Sequence, residues 1–212
     1  MAMQGATYPV RFSVDYPDRP LNRLTSAFRI FLAIPIWIVL SSVSGTTMTF
    51  YAGRGAAFVL PAAGGVLFVG PLLMLLFRRK YPRWWFDWNL ELQRLTNRVL
   101  AYVLLMDDRY PSTDEEQAVH LDYPDVDGGR AMNRWLPLVK WFLAIPHFVV
   151  LVFLWIAVVI VVFIAWIVII FTGRYPRALF GFVEGVIRWG ARVVAYALTL
   201  VTDSYPPFRL TP

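Results

Sequence analysis

The chain has 212 residues, no cysteine and a formal net charge of +6, from 20 basic and 14 acidic residues. Its hydrophobic fraction of 58% and charged fraction of 16% depart from the roughly 45–50% and 25% of globular domains, and the excess is gathered in blocks. The lack of cysteine excludes disulfides, iron–sulfur clusters, thiol catalysis and cysteine-ligated zinc, and the apolar blocks turn the basic balance away from nucleic acid and towards an anionic membrane surface.

The first 29 residues are polar and carry Arg11, Arg19, Arg23 and Arg29. They contain no short apolar stretch with a small-residue cleavage site, so no cleaved signal peptide is expected. Tyr8, Val10, Phe12, Val14 and Tyr16 alternate with polar residues, the period-two pattern of a half-buried strand. Two uncharged stretches follow, Ile30 to Tyr51 and Ala56 to Phe77. Each meets the ~20 residues needed to span a bilayer. They predict a helical hairpin over about 27–77, its loop holding Arg54, with Pro35 bending the first helix.

Residues 84–106 place Trp85, Trp88, Leu92, Leu95, Val99, Tyr102 and Met106 at three- and four-residue steps, opposite Asp87, Glu91, Arg94 and Arg98. This is an amphipathic helix. Trp84, Trp85 and Trp88 directly follow Arg78, Arg79 and Lys80, which sets the helix start at the membrane interface. Residues 107–127 hold eight acidic residues, read as a solvated region whose part 112–121 links two units. An EF-hand is excluded, because the glutamate needed at loop position 12 falls on Leu136. Val119, Leu121 and Tyr123 alternate with His120 and Asp122, a second strand able to pair with the first.

Trp141 to Phe171 contains 31 residues without a charge. One helix of that length measures roughly 46 Å, too long for a ~30 Å core without steep tilt; two short helices over about 134–172 fit better in length, although no turn residue marks a break. Charge placement favours the second hairpin. Nineteen of the 20 basic residues lie in 1–29, 78–140 and 172–212, and two hairpins put all three segments on the cytoplasmic face. Residues 178–201 repeat the amphipathic pattern, with Glu184, Arg188 and Arg192 as the polar stripe and Gly181 and Gly185 as a close-packing pair.

The halves match in order. Asp15-Tyr16-Pro17-Asp18 recurs at 122–125, Asn22-Arg23 at 133–134, Phe31-Leu32-Ala33-Ile34-Pro35 at 142–146, and Tyr81-Pro82-Arg83 at 175–177. Arg94, Arg98, Ala101 and Tyr102 recur as Arg188, Arg192, Ala195 and Tyr196. These matches define two tandem units, 8–111 and 117–208, related by an axis along the membrane normal. The fold class expected is an all-α membrane protein with four membrane helices. Each unit has a short extended segment, a transmembrane hairpin and an interfacial helix, at about 84–106 and 178–201.

No catalytic constellation accompanies this design. His147 is the one ionisable residue in a predicted span, and with His120 it makes neither a metal nor a haem site. P-loop, dinucleotide and nucleophile-elbow motifs are absent. The candidate contact residues are Trp84, Trp85, Trp88, Arg78, Arg79, Lys80, Arg94, Arg98, Arg188 and Arg192, suited to anionic headgroups or an acidic partner because guanidinium binds phosphate in a bidentate fork. No cofactor is expected.

The run of Asp-Tyr-Pro-Asp, Asn-Arg and Phe-Leu-Ala-Ile-Pro, followed by Tyr81-Pro82-Arg83-Trp84-Trp85-Phe86-Asp87-Trp88, resembles domain-of-unknown-function family 4389 from about Tyr8 to Phe208. The second copy departs from it, with Ala178-Leu179 in place of the two tryptophans. The resemblance implies a bacterial inner-membrane protein, multi-pass with cytoplasmic termini, and brings no catalytic residues. The expected function is a non-enzymatic accessory or scaffold protein that contacts lipid and other membrane proteins, or a second copy of itself. A small channel or a membrane-shaping protein is the alternative.

Overall fold

The computed structural model describes residues 8–44, 47–52, 56–61, 70–113, 115–130 and 132–212, with backbone alone over 42–61. The predicted strands form and pair. β1 (Arg11–Val14) and β4 (Val119–Asp122) are antiparallel, with Phe12 opposite Leu121 and Val14 opposite Val119. Their alternation sorts by face, since Val10, Phe12, Val14, Val119 and Leu121 are buried while Arg11, Ser13, Asp15, His120 and Asp122 are exposed. One side of this ribbon is therefore a polar outer surface.

The buried side rests on the two amphipathic helices, α5 (Arg83–Val103) and α7 (Arg177–Ala197). Each begins after a Tyr-Pro pair, where proline's fixed φ starts a helix well. The packing is crossed. Strand β1, from the first half of the chain, lies on α7 from the second, and β4 lies on α5. Phe86 stands edge-on to Tyr81 and Tyr123, and Phe180 to Tyr175 and Tyr16. Burial raises the phenol pKa of Tyr8, Tyr81 and Tyr175 above the ordinary value of 10.0.

Behind α5 and α7 lies a third layer. Under α5 run three short helices, α1 (Arg23–Ala27), α2 (Arg29–Leu32) and α3 (Ile34–Ser44). Under α7 runs α6 (Leu136–Thr172), which also meets α1.

Two expectations are corrected here. The second hairpin over about 134–172 is one continuous 37-residue helix. No glycine, asparagine or aspartate interrupts it, and Pro146 removes a single hydrogen bond without a break. Its end is set by Gly173, whose φ of 73° closes the last turn in a conformation that favours glycine. Within the first hairpin, about 27–77, Thr47–Ala52 and Ala56–Pro61 form antiparallel strands β2 and β3. Threonine, valine and aromatic residues favour that pairing over a helix. Helix α4 covers 70–73 and continues as a π-helical turn, Met74–Arg78. The rest of that predicted span, 62–69, and Thr46, Arg54 and Asp114 lie outside the described residues. Among the described residues one helix, α6, is long and apolar enough to cross a membrane.

The predicted Gly181–Gly185 pair also acts differently from a helix–helix contact. Gly181 is open, whereas a Cβ at Gly185 would stand 2.9 Å from Cβ of Leu210. Gly185 thus seats the C-terminal segment against α7. Replacing Gly185→Ala will loosen residues 209–212, seen as faster amide exchange there, while Gly181→Ala leaves exchange unchanged. A second expectation follows from the buried tyrosines. Their neutral forms are favoured by the fold, so the stability they add is present below pH 10 and is lost as pH rises through their higher folded pKa values. Denaturant midpoints measured across that alkaline range will fall together with the appearance of phenolate absorbance.

Candidate lipid-facing surface and buried cation sites

The third layer exposes what soluble proteins bury. Along α6 one narrow stripe is buried, from Pro137 through Ala144, Leu151 and Val158 to Ala165 and Ile169. The spacing of three, four or seven residues keeps it on one side of the helix. The remaining face is open and apolar, with Phe142 71%, Phe153 68%, Val159 67% and Phe171 76% exposed. Helices α1 to α3 extend it, with Leu24, Phe28, Ile30, Phe31 and Trp37 all more than half exposed. An apolar groove of about 330 Å³ opens between the two parts, lined by Ile30, Val103, Val159 and Trp166. Large contiguous exposed apolar surfaces of this kind mark protein–protein or membrane contacts.

Basic residues stand at the ends of these helices. Arg23 opens α1, Arg78, Arg79 and Lys80 follow α4, and Arg174 follows α6; all are exposed. Trp84 and Trp88 are exposed at 65% and 41%. Trp85 differs. It turns inward, its ring against Gly70, where an added Cβ would lie 3.0 Å from the indole, and it packs on the core.

The four stripe arginines are corrected. Arg98, Arg188 and Arg192 are buried and Arg94 is half-buried, and all four bond backbone carbonyls. Arg94 Nε donates to the Leu121 carbonyl at 3.0 Å, and Arg188 Nε donates to the Phe12 carbonyl at 2.9 Å. Those carbonyls belong to residues paired across the β1–β4 ribbon. Each guanidinium is also held by a glutamate on its own helix, Glu91 or Glu184. Arg98 donates to the Ser112 carbonyl and Arg192 to the Thr211 carbonyl, tying the segment after each helix back onto it. Burial lowers the Arg192 pKa, with Arg209 and Arg188 adding to the effect. The sequence placed these residues on a polar stripe and missed their destination, because the acceptors come from the folded ribbon for Arg94 and Arg188 and from the segments after the helices for Arg98 and Arg192.

Two further cations escaped sequence analysis. Arg29 and Lys140 are buried at 1% and 0% exposure. Arg29 donates to the carbonyls of Tyr102, at 3.0 Å, and Asp107. Its guanidinium lies 4.5 Å from the Tyr102 ring centre. Lys140 donates to the Thr202 carbonyl at 2.7 Å, pairs with Asp203, and lies 5.1 Å from the Tyr196 ring centre. Beside each lies an asparagine, Asn22 capping α1 and Asn133 accepting from Trp135 N just before α6, and a carboxylate accepts the asparagine's own N–H. Asp108 accepts from Asn22 N, and Asp203 accepts from Asn133 N. Arg29 and Lys140 are separated by the same interval as Phe31 and Phe142, the signal that would have found them. His147, also buried, accepts at Nδ1 from Trp189 Nε1 at 3.1 Å and stacks on Phe208. It is a packing residue. Among the described residues no group of three metal-ligating side chains forms. Ser41 donates to the Ile38 carbonyl of its own helix.

Truncating Lys140→Met leaves the Thr202 carbonyl without its donor and Asp203 without its cation, a loss of about 2–4 kcal/mol. Arg29→Met will cost a similar amount. Both appear as lowered unfolding temperatures in lipid, while Arg79→Ala leaves the temperature unchanged.

Residues 135–209 match the family described as a domain of unknown function (DUF4389). No curated protein and no solved structure matches the chain.

Proposed function

We propose that the protein is a non-enzymatic membrane accessory or scaffold protein, built from two tandem copies of one unit and held in a bacterial cytoplasmic membrane by its apolar layer. The observation that carries this reading is the continuous exposed apolar surface of α6 and α1–α3. In water it would cost about 25 cal/mol for each Å² left uncovered, and lipid removes that cost. The basic residues at the helix ends suit anionic headgroups, and exposed Trp84 and Trp88 suit the interface.

Tandem duplication is supported by matched contacts at matched positions. These include the Arg94–Leu121 and Arg188–Phe12 bonds, the Arg29 and Lys140 sites, and the crossed aromatic trios. The bacterial inner-membrane location follows from the family resemblance. The partners in this reading are anionic lipids and other membrane proteins, met through the polar ribbon side and the tryptophans. No nucleic acid or cofactor takes part.

The test is extraction into nanodiscs with native lipid, followed by mass spectrometry of everything that co-purifies. A stoichiometric membrane-protein partner is the expected outcome. A protein that partitions into the aqueous fraction without lipid or detergent would end the membrane reading, and a lone protomer free of partners would end the accessory reading.

A further inference from the structure

We infer that α6 lies in the plane of a single leaflet with its exposed face in the acyl chains, and does not cross the bilayer. The inference rests on the membrane reading above and adds the orientation and depth of the embedded surface. The occupant of the apolar face is one anionic lipid leaflet.

Length is the first argument. A 37-residue helix measures roughly 55 Å, against a hydrocarbon core of ~30 Å. The second argument is connectivity at the two ends. At the start of α6, Lys140 bonds the Thr202 carbonyl, and two residues further on the Ser204 carbonyl accepts from the Tyr8 hydroxyl at 2.9 Å. At its end, the Gly173 carbonyl accepts from Leu21 N at 2.8 Å. One extended segment, from Tyr8 to Leu21, therefore reaches from one end of α6 to the other. That segment includes β1, whose Arg11, Ser13 and Asp15 point outward and are exposed.

A crossing α6 would carry this segment through the bilayer. Charged, exposed side chains and the open edges of a two-stranded ribbon would then sit in hydrocarbon, where unpaired backbone groups and charges are each costly. With α6 in plane the conflict disappears. The polar ribbon faces water, α5 and α7 form the middle, and α6 with α1–α3 faces lipid. Arg23, Arg78, Arg79, Lys80 and Arg174 then lie at the rim of the apolar layer, at headgroup level, where each basic side chain near an anionic surface adds about 1 kcal/mol of attraction.

The chain has no cysteine, so single thiols can be placed at will. Leu138→Cys, Ile156→Cys and Phe171→Cys mark the start, middle and end of the open face of α6, all exposed; Ser13→Cys marks the ribbon. Each is labelled with an environment-sensitive fluorophore and reconstituted into vesicles of phosphatidylcholine and phosphatidylglycerol. Quenching by lipids brominated at shallow and deep acyl positions then reports depth. The in-plane arrangement gives all three α6 positions similar depths of roughly 5–10 Å below the headgroups, with Ser13 unquenched. A profile with Ile156 at the bilayer centre and Leu138 and Phe171 near opposite surfaces would overturn the inference and leave the membrane reading intact. No quenching at any α6 position would overturn both. Replacing phosphatidylglycerol with neutral lipid weakens binding of the unmodified protein; equal binding to both vesicles would remove the anionic leaflet as the preferred surface.

Discussion

The whole arrangement depends on buried cations holding carbonyl oxygens that the backbone leaves over. A helix that ends inside a protein has C=O groups without partners, and its C-terminus carries partial negative charge. Arg29 and Lys140 sit just beyond the ends of α5 and α7, donating to Tyr102, Asp107 and Thr202 carbonyls. Arg94 and Arg188 do the same for the outer carbonyls of the strand ribbon. Four cations thus fix the positions of both amphipathic helices relative to the strands above and the apolar helices below. Desolvation makes such groups costly when alone and stabilising only when every donor finds its acceptor. This explains why Arg29, Arg98, Arg188 and Arg192 are buried while most other arginines stay exposed.

The layering follows from that scaffold. One outer face is a ribbon with Arg11, Asp15, His120 and Asp122 outward; the opposite outer face is apolar along its length. A soluble three-layer protein would be polar on both outer faces. The polarity of this slab is therefore a property of its surface, separate from the core that holds it together. That core is ordinary in composition, made of Val, Leu, Tyr and Phe from β1, β4, α5 and α7.

Much of this was legible in the chain. Period-two alternation placed β1 and β4, and the 3.6-residue pattern placed α5 and α7 to within a few residues, because each pattern records a two-sided environment that a single element meets on its own. What failed were questions that local pattern does not decide. An uncharged run such as 141–171 is equally compatible with one helix or two, and over most of its length the buried stripe and the open face of α6 are both apolar. The run Ala56–Pro61 is apolar enough for a span, yet its pairing with Thr47–Ala52 makes it a strand. The arginine stripes read as solvent-facing because their acceptors lie far away in sequence. Lys140 was passed over because it borders a long apolar run, where a lysine is ordinarily taken as an anchor to the interface.

The crossed packing of strand on helix has a consequence for biosynthesis. The Phe12 carbonyl must wait for Arg188, 176 positions later. At roughly 5–20 residues per second of synthesis, that wait lasts on the order of 10–35 s. Strand β4, made at 119–122, can join β1 and α5 early in that interval, but throughout it β1 lacks α7, the helix that covers it. An apolar nascent chain held open for so long at a ribosome is prone to association with its neighbours, and contacts of such separation also form slowly. The α7-facing side of β1 is therefore the last part of the fold to be covered, and it stays open until the second amphipathic helix has been made.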